Sequence, residues 1–215
     1  MNNWQEQSQQ LNALGVASAS VPEFIINHIK KTLKKKSKLR KANKDLAGHL
    51  KEEYDLPITG PINEFMVDMA VNGHPSFKPY MEKQSPNFFA HDLTLGKFWV
   101  NLQSKTEFNP VHNHSGLFSF IIFVNIPYKL EDELKIWNET SVQPITSCLQ
   151  FLYTDMSGKI NGHQVYVDKE FEGKILMFPA GLSHCVYPFY TSNKKRITSS
   201  GNIYFLNEKD GQRNA

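Results

Sequence analysis

Between residues 21 and 54, apolar side chains recur at three- and four-residue spacing: Phe24, Ile25, Ile29 and Leu33, then Leu46 and Leu50. Pro22 suits a first helical turn, so this stretch reads as helical. A second short amphipathic helix is predicted over 63–71 from Phe65, Met66 and Met69, stopped by Gly73-His74-Pro75. The segment 76–95, interrupted by Pro79 and Pro86, reads as irregular. From Gly96 the pattern turns to β. Runs rich in Ile, Val, Phe, Tyr and Thr at 97–103, 116–126, 148–154, 164–167, 174–178 and 196–205 are divided by turn residues. No helix-length segment separates most of them, which disfavours a parallel βαβ sheet and favours a sandwich or barrel. The apolar run 117–126, interrupted by Ser119 and Asn125, is about half of what a bilayer requires and reads as a buried strand.

The chain's 215 residues suit one large domain, or one domain with a modest N-terminal extension. Its 40% hydrophobic and 21% charged residues are those of an ordinary globular protein. The start of the chain lacks the basic and apolar blocks of a secretion signal. Two cysteines, Cys148 and Cys185, make no disulfide framework and are expected as small buried hydrophobes in a reducing cytoplasm. The net charge of +3 says little, but its distribution says more. Lys30, Lys31, Lys34, Lys35, Lys36, Lys38, Arg40, Lys41 and Lys44 follow one another without an intervening acid. Ile29, Leu33 and Leu39 give this run an apolar side, so a solvated helix face is expected. Weak attraction to an acidic protein, a nucleic acid or an anionic membrane surface is the alternative.

Chemistry concentrates in the β region. In extended backbone, residues two apart share a face, so His112 and His114 in Asn-Pro-Val-His-Asn-His-Ser-Gly can aim both imidazoles at one point. His184 lies far enough along for a returning antiparallel strand to bring in a third. Three ligands on one side of an ion leave positions open, the arrangement of non-haem Fe(II) oxygenases, whose set usually includes a carboxylate. Twelve residues beyond His184, Arg196 opens a mostly uncharged strand, with Thr198 on its face, so a guanidinium fork and a hydroxyl can meet a carboxylate. Asn101 precedes the histidine pair on an earlier strand and is a further candidate for that ligand. Other residues read more plainly. His91-Asp92 would point to opposite faces and suits a loop, while His163 suits an exposed turn. Phe118, Phe120, Phe123, Tyr187, Phe189 and Tyr190 suit the core first and a substrate pocket second. The Glu131–Glu133 stretch suits a solvated cluster.

The block 98–205 resembles the double-stranded β-helix Fe(II)/2-oxoglutarate-dependent oxygenases, most closely those of marine phages and bacteria with an Asn-Pro-x-His-x-His-Ser-Gly segment. The resemblance rests on His112-Asn-His114, on Gly-Lys-Ile-Leu-Met-Phe-Pro at 173–179, on His184, and on Arg196-Ile-Thr198. It implies a mainly β fold with N-terminal helices, a jelly roll packed by helices. The implied organisation is a helical extension over 1–95, a catalytic core over 96–207 and a flexible tail over 208–215. It also implies a dioxygenase using Fe(II) and 2-oxoglutarate as cosubstrate. His112, His114 and His184 would be metal ligands, with Arg196, Thr198 and Asn101 on the cosubstrate. The wider superfamily carries Asp or Glu where this chain has His114. Either three histidines bind the ion, or His114 stands behind another ligand. A hydroxylase acting on prolyl or other protein side chains is the first substrate class implied, in the cytoplasm of a bacterium or a phage-infected host. Two other readings remain: a cupin-type metalloenzyme that does not use 2-oxoglutarate, and a non-catalytic jelly-roll binding or structural protein. The substrate, protein or small molecule, and the oligomeric state are not readable from the sequence.

Overall fold

The computed structural model describes residues 7, 9, 11, 14–87, 92–137, 140–142 and 144–206. The expected tail 208–215 and His91 lie outside the described residues. Ten strands and four longer helices follow in order among the described residues from 17 on: β1 (Ala17–Ser20), α1 (Glu23–Leu33), β2 (Glu53–Asp55), α2 (Gly60–Asn72), α3 (Phe77–Gln84), β3 (Leu93–Gln103), β4 (Asn109–His112), β5 (Phe118–Asn125), α4 (Leu130–Lys135), β6 (Cys148–Thr154), β7 (Ile160–Tyr166), β8 (Lys174–Pro179), β9 (His184–Val186) and β10 (Arg196–Phe205). They form a six-stranded sheet in the order β1-β8-β5-β10-β3-β2 and a four-stranded sheet in the order β4-β9-β6-β7. The pairings in both are antiparallel. The mainly β reading therefore holds.

The larger sheet is buried on both faces, which is why β5 reads as a continuous apolar run rather than as an alternation. Phe98, Val100, Leu102, Phe120, Ile122 and Met177 point to one face and share a core with Ile25 and Ile29 of α1, Ile62 and Met66 of α2, and Phe77 and Met81 of α3. Ile121, Phe123, Leu176 and Phe178 point the other way and meet Leu149, Phe151 and Val165 of the smaller sheet. No helix among the described residues is long and apolar enough to cross a membrane.

The N-terminal third departs from the sequence reading in three ways. The helix expected over 21–54 ends at Leu33 and gives way to two short 3-10 turns, Lys36–Lys38 and Asn43–Asp45. Like charges three and four apart oppose helix formation across the basic run. That run lies against its neighbours through Lys36 to Glu52 (3.0 Å) and Arg40 to Asp45 (2.7 Å) and Asp55. The chain instead runs back along strand β2, Ala42 N donating to Glu53 O at 2.9 Å and Asp55 N to Arg40 O at 3.0 Å. In the region read as irregular, α3 forms despite Pro79, which occupies the first turn, where a missing N–H leaves no intrahelical bond unmade. Finally, β1 and β2 are the two edge strands of the larger sheet, so the region before residue 93 is woven into the sheet as well as helical.

Three smaller expectations are also corrected. Glu133 is not solvated: it is fully buried, its carboxylate accepting from Tyr190 N (2.8 Å), Thr191 N (2.7 Å), Thr191 Oγ1 and Thr146 Oγ1 (3.3 Å). His163 lies inside β7 opposite Phe151 rather than in an exposed turn. β4 and β9 are short strands that already contain His112 and His184. Both cysteines are free and buried, and burial pushes the Cys148 thiol up to about 12.

Gly201 sits on β10 between its sheet neighbours β3 and β5, opposite Phe98 and Phe120: a Cβ there would lie 2.5 Å from Lys97 O and 2.5 Å from Phe120 Cζ. One of those atoms is backbone and cannot yield. Gly201→Ala is expected to destabilise the fold by about 1–3 kcal/mol, measured by denaturant unfolding; an unchanged midpoint would refute this packing.

Candidate active site

Three imidazoles converge between the two sheets. β4 and β9 are register partners, His112 opposite His184, and His114 follows in the turn after β4, its backbone N–H bonded to Ala180 O at 2.9 Å. The ring centroids lie 4.3 Å apart for His112 and His184, 4.9 Å for His112 and His114, and 5.1 Å for His114 and His184. One nitrogen from each ring lies within 4.8 Å of the others. Among the described residues this is the one cluster of three or more His, Cys, Asp or Glu side chains suited to an ion.

Local backbone bonds orient two of the rings. His112 Nδ1 faces Pro110 O at 2.7 Å and His184 Nδ1 faces Leu182 O at 2.9 Å. A carbonyl only accepts, so each Nδ1 carries the proton and each Nε2 keeps its lone pair for an ion. Burial lowers all three pKa values. His184 falls to about 4, by burial and then by His112, and His114 to about 3, by burial and then by His184, His112 and Lys97. All three are neutral at physiological pH, the form that binds metal. Donors on one face of an ion with bonds of ~2.0–2.1 Å stand about 3 Å apart, so ion binding would draw the rings closer. The donor set fits an ion of the Fe(II) type, with no carboxylate in it.

The opposite wall is a polar ladder set by the pairing of β10 with β3. Arg196 lies opposite Gln103, Thr198 opposite Asn101, and Ser200 opposite Trp99; Trp99 stands 5.8 Å from the His114 ring. All six line the histidine cleft, with Ile121 and Phe123 of β5 as its apolar floor. Asn101 Nδ2 donates to Thr198 Oγ1 at 3.3 Å.

Arg196 is 2% exposed, and each of its five N–H donors has a partner. Nε and Nη2 donate to Gln103 Oε1 (2.9 and 2.6 Å), Nη1 to Tyr128 OH (2.9 Å) and Ser147 O (3.2 Å), and Nη2 to Tyr187 O (2.8 Å). Every acceptor is neutral. The nearest balancing charge in this network is the Glu133 carboxylate, beyond Thr146 and Ser147. Gln103 lies two residues past Asn101 on the same strand face, so period two alone could have picked it out. Tyr128 and Glu133 left no such signal.

Glu53 was also missed. It is register partner to Asn101 from the other side, on β2, and fully buried in the same cleft. Burial, and then the nearby Glu107, push its carboxyl up to about 7.

A two-sheet antiparallel roll whose cleft holds a histidine cluster and a buried arginine fits the class of mononuclear non-haem oxygenases. Residues 97–202 match the family described as "Putative 2OG-Fe(II) oxygenase", and the chain belongs to the Fe(II)/2-oxoglutarate-dependent oxygenases. No curated protein matches it in sequence. Among solved structures it is similar to a prolyl-4-hydroxylase from Pseudomonas putida, with TM-score 0.52 and 13% identity over 92% of this chain and 96% of that one. It is also similar to a prolyl hydroxylase from Trichoplax adhaerens in complex with a hypoxia-inducible factor oxygen degradation domain peptide fragment, with TM-score 0.49 and 12% identity over 100% and 98%. The first of these supports the fold. The family assignment makes the protein an Fe(II)- and 2-oxoglutarate-dependent dioxygenase and sets aside both the cupin reading and the non-catalytic reading.

The raised pKa of Glu53 has a thermodynamic consequence. Unfolded, the carboxyl titrates near its ordinary 4.5; folded, at about 7. Between these values the folded state holds a proton that the unfolded state has shed, so this group's contribution to stability falls as pH rises through that window. Glu53→Gln removes the loss. Its Tm advantage over the wild type is expected to grow from pH 4.5 to 7 and then level off, and thermal unfolding across that range showing a constant difference would refute the assignment.

Proposed function

We propose that the chain hydroxylates an amino-acid side chain of a peptide or protein, with His112, His114 and His184 holding Fe(II) and Arg196 and Thr198 receiving the distal carboxylate of 2-oxoglutarate. The observation that carries this reading is the convergence of three neutral imidazoles within 4.8 Å across the cleft from a buried guanidinium. Bound there, Fe(II) would supply the dioxygen-activating chemistry that couples conversion of 2-oxoglutarate to succinate and CO2 with insertion of one oxygen into a substrate C–H bond. The likeness to the Pseudomonas putida prolyl-4-hydroxylase makes proline-containing peptides the first substrates to try, with other protein side chains next.

The chain's own groups have distinct tasks. The carbonyls of Pro110 and Leu182 fix the tautomers of two ligands. Burial keeps all three imidazoles unprotonated, and the absence of an acid among them favours His114 as a direct ligand. Asn101 holds the Thr198 hydroxyl in place. Arg196 has no idle donor, so a cosubstrate carboxylate would have to take over donors now given to the Gln103 amide. A carboxylate is the stronger acceptor for a guanidinium, and the exchange leaves the backbone acceptors of Arg196 untouched. Ile121 and Phe123 keep water from the space between.

Two outcomes test this reading. Anaerobic titration of Fe(II)-loaded protein with 2-oxoglutarate should raise a visible charge-transfer band, and His184→Ala should abolish both the band and oxygen-dependent succinate formation. Wild-type protein that binds Fe(II) but gives no band would overturn the proposal. Gln103→Glu places a tethered carboxylate against Arg196, and is expected to weaken 2-oxoglutarate binding about tenfold or more, the scale of one charge-assisted hydrogen bond. Unchanged affinity would show that the cosubstrate does not displace Gln103.

A further inference from the structure

We infer that Glu53 and Asn101 form a subsite in the same cleft for a protonated nitrogen of the substrate, an ammonium or a guanidinium. The inference rests on the oxygenase reading above and narrows its substrate to one that carries such a group. Glu53 Oε1 and Asn101 Oδ1 are both buried, and neither has a hydrogen-bond partner. Glu53 Oε2 has one long bond, from Asn43 Nδ2 at 3.3 Å, and Asn101 Nδ2 is committed to Thr198. The two residues are register partners on β2 and β3, so their side chains leave the sheet on one face from Cα atoms about 4.5–5.5 Å apart. Buried acceptors left unsatisfied are costly, and two of them side by side in a ligand cleft call for a donor.

The chemistry of the cosubstrate does not answer that need. The 2-oxoglutarate dianion offers acceptors only, and its natural partner Arg196 gives no bond to Glu53. A nitrogen with several N–H bonds can satisfy both orphan oxygens at once. Charge then selects a cation over a neutral amide. Glu53 makes no ion pair among the described residues, and the Glu107 carboxylate, held by Ser104 N (2.8 Å) and Lys51 N (3.2 Å), adds negative potential nearby.

The chain before the family-matching stretch shapes the subsite. Loop 46–50 passes directly over Glu53. A Cβ on Gly48 would stand 2.8 Å from Glu53 Oε1 and 3.2 Å from Asn109 Nδ2, so glycine at 48 permits that close approach. Leu46, Ala47 and Leu50 of the same loop line the cleft beside it.

Calorimetric titration of the full chain, metal-free and after loading with Mn(II) and 2-oxoglutarate, tests this with butylguanidinium and butylammonium against butylurea, a neutral mimic of the guanidinium. The expected result is about tenfold or greater preference for a cation in the wild type, lost in Glu53→Gln. Gly48→Ala, which crowds the same oxygen without altering charge, should weaken cation binding and keeps the test decisive if the first variant does not fold. Equal affinity for cation and urea, or a preference that survives in folded Glu53→Gln, overturns the subsite and means that the two oxygens share the carboxyl's own proton. Wild-type protein that binds 2-oxoglutarate but shows no cation preference loses the subsite alone; a cation preference without 2-oxoglutarate binding loses the oxygenase reading alone.

Discussion

The antiparallel pairing of β10 with β3 is the constraint on which both the core and the site depend. Side chains alternate at period two, so a single register sends Phe98, Val100 and Leu102 into the helix-covered core and Trp99, Asn101 and Gln103 into the cleft. The same register puts Arg196, Thr198 and Ser200 opposite the second group. A slip of one residue would exchange the two sets, driving polar groups under the helices and apolar ones into the site. Gly201 is the place where this pairing leaves no room for a side chain. The register that buries the core is therefore also the register that assembles the site.

Charge is distributed unusually across that site. One side has three imidazoles that burial keeps neutral, while the opposite wall carries a guanidinium surrounded by neutral acceptors. Its balancing carboxylate, Glu133, stands off behind Thr146 and Ser147 and is itself held by four donors. A dication bound by three histidines would add positive charge where relatives with a carboxylate ligand partly cancel it. A dianionic cosubstrate spanning the two ends suits that imbalance, and its carboxylates meet no acid on the way from Arg196 to the histidines along β10. The acid that does reach the cleft, Glu53, comes from the side, on β2.

What the sequence made legible follows from which interactions are local. β6 and β10 are found over the residues that the Ile-, Val-, Phe-, Tyr- and Thr-rich runs at 148–154 and 196–205 pick out, because that enrichment is written in consecutive residues. His112 and His114 announce themselves by spacing, and His184 by the turn ahead of it. Strands β1, β2, β4 and β9 were invisible because three or four residues carry no periodicity and their pairing partners are remote in the chain. β1 joins β8 more than 150 residues away, and β2 exists because β3 offers an edge. Glu133 looked solvated beside Glu131 and Asp132, since nothing local reveals that backbone donors at Tyr190 and Thr191 reach it. The four acceptors around Arg196 come from four separate stretches, so its need for a partner was readable and the identity of that partner was not.

The division of labour between the two parts of the chain follows from the same geometry. The family match begins at Lys97, and within it lie the histidines, the Arg196 ladder and the apolar floor. Glu53 and the loop over it lie outside that stretch, yet they close one side of the cleft. The groups facing the histidines are fixed by the β10–β3 register, whereas a wall supplied by an edge strand and a loop can change without disturbing β10 and β3. A buried carboxyl on that wall costs stability in the free protein, since it is desolvated and lacks a full set of partners. Such a cost is best explained by what the group does when the cleft is filled. On the subsite inferred above, selectivity would rest with the segment before residue 97 and the oxidative chemistry with the roll, the two meeting across the Glu53 and Asn101 pairing.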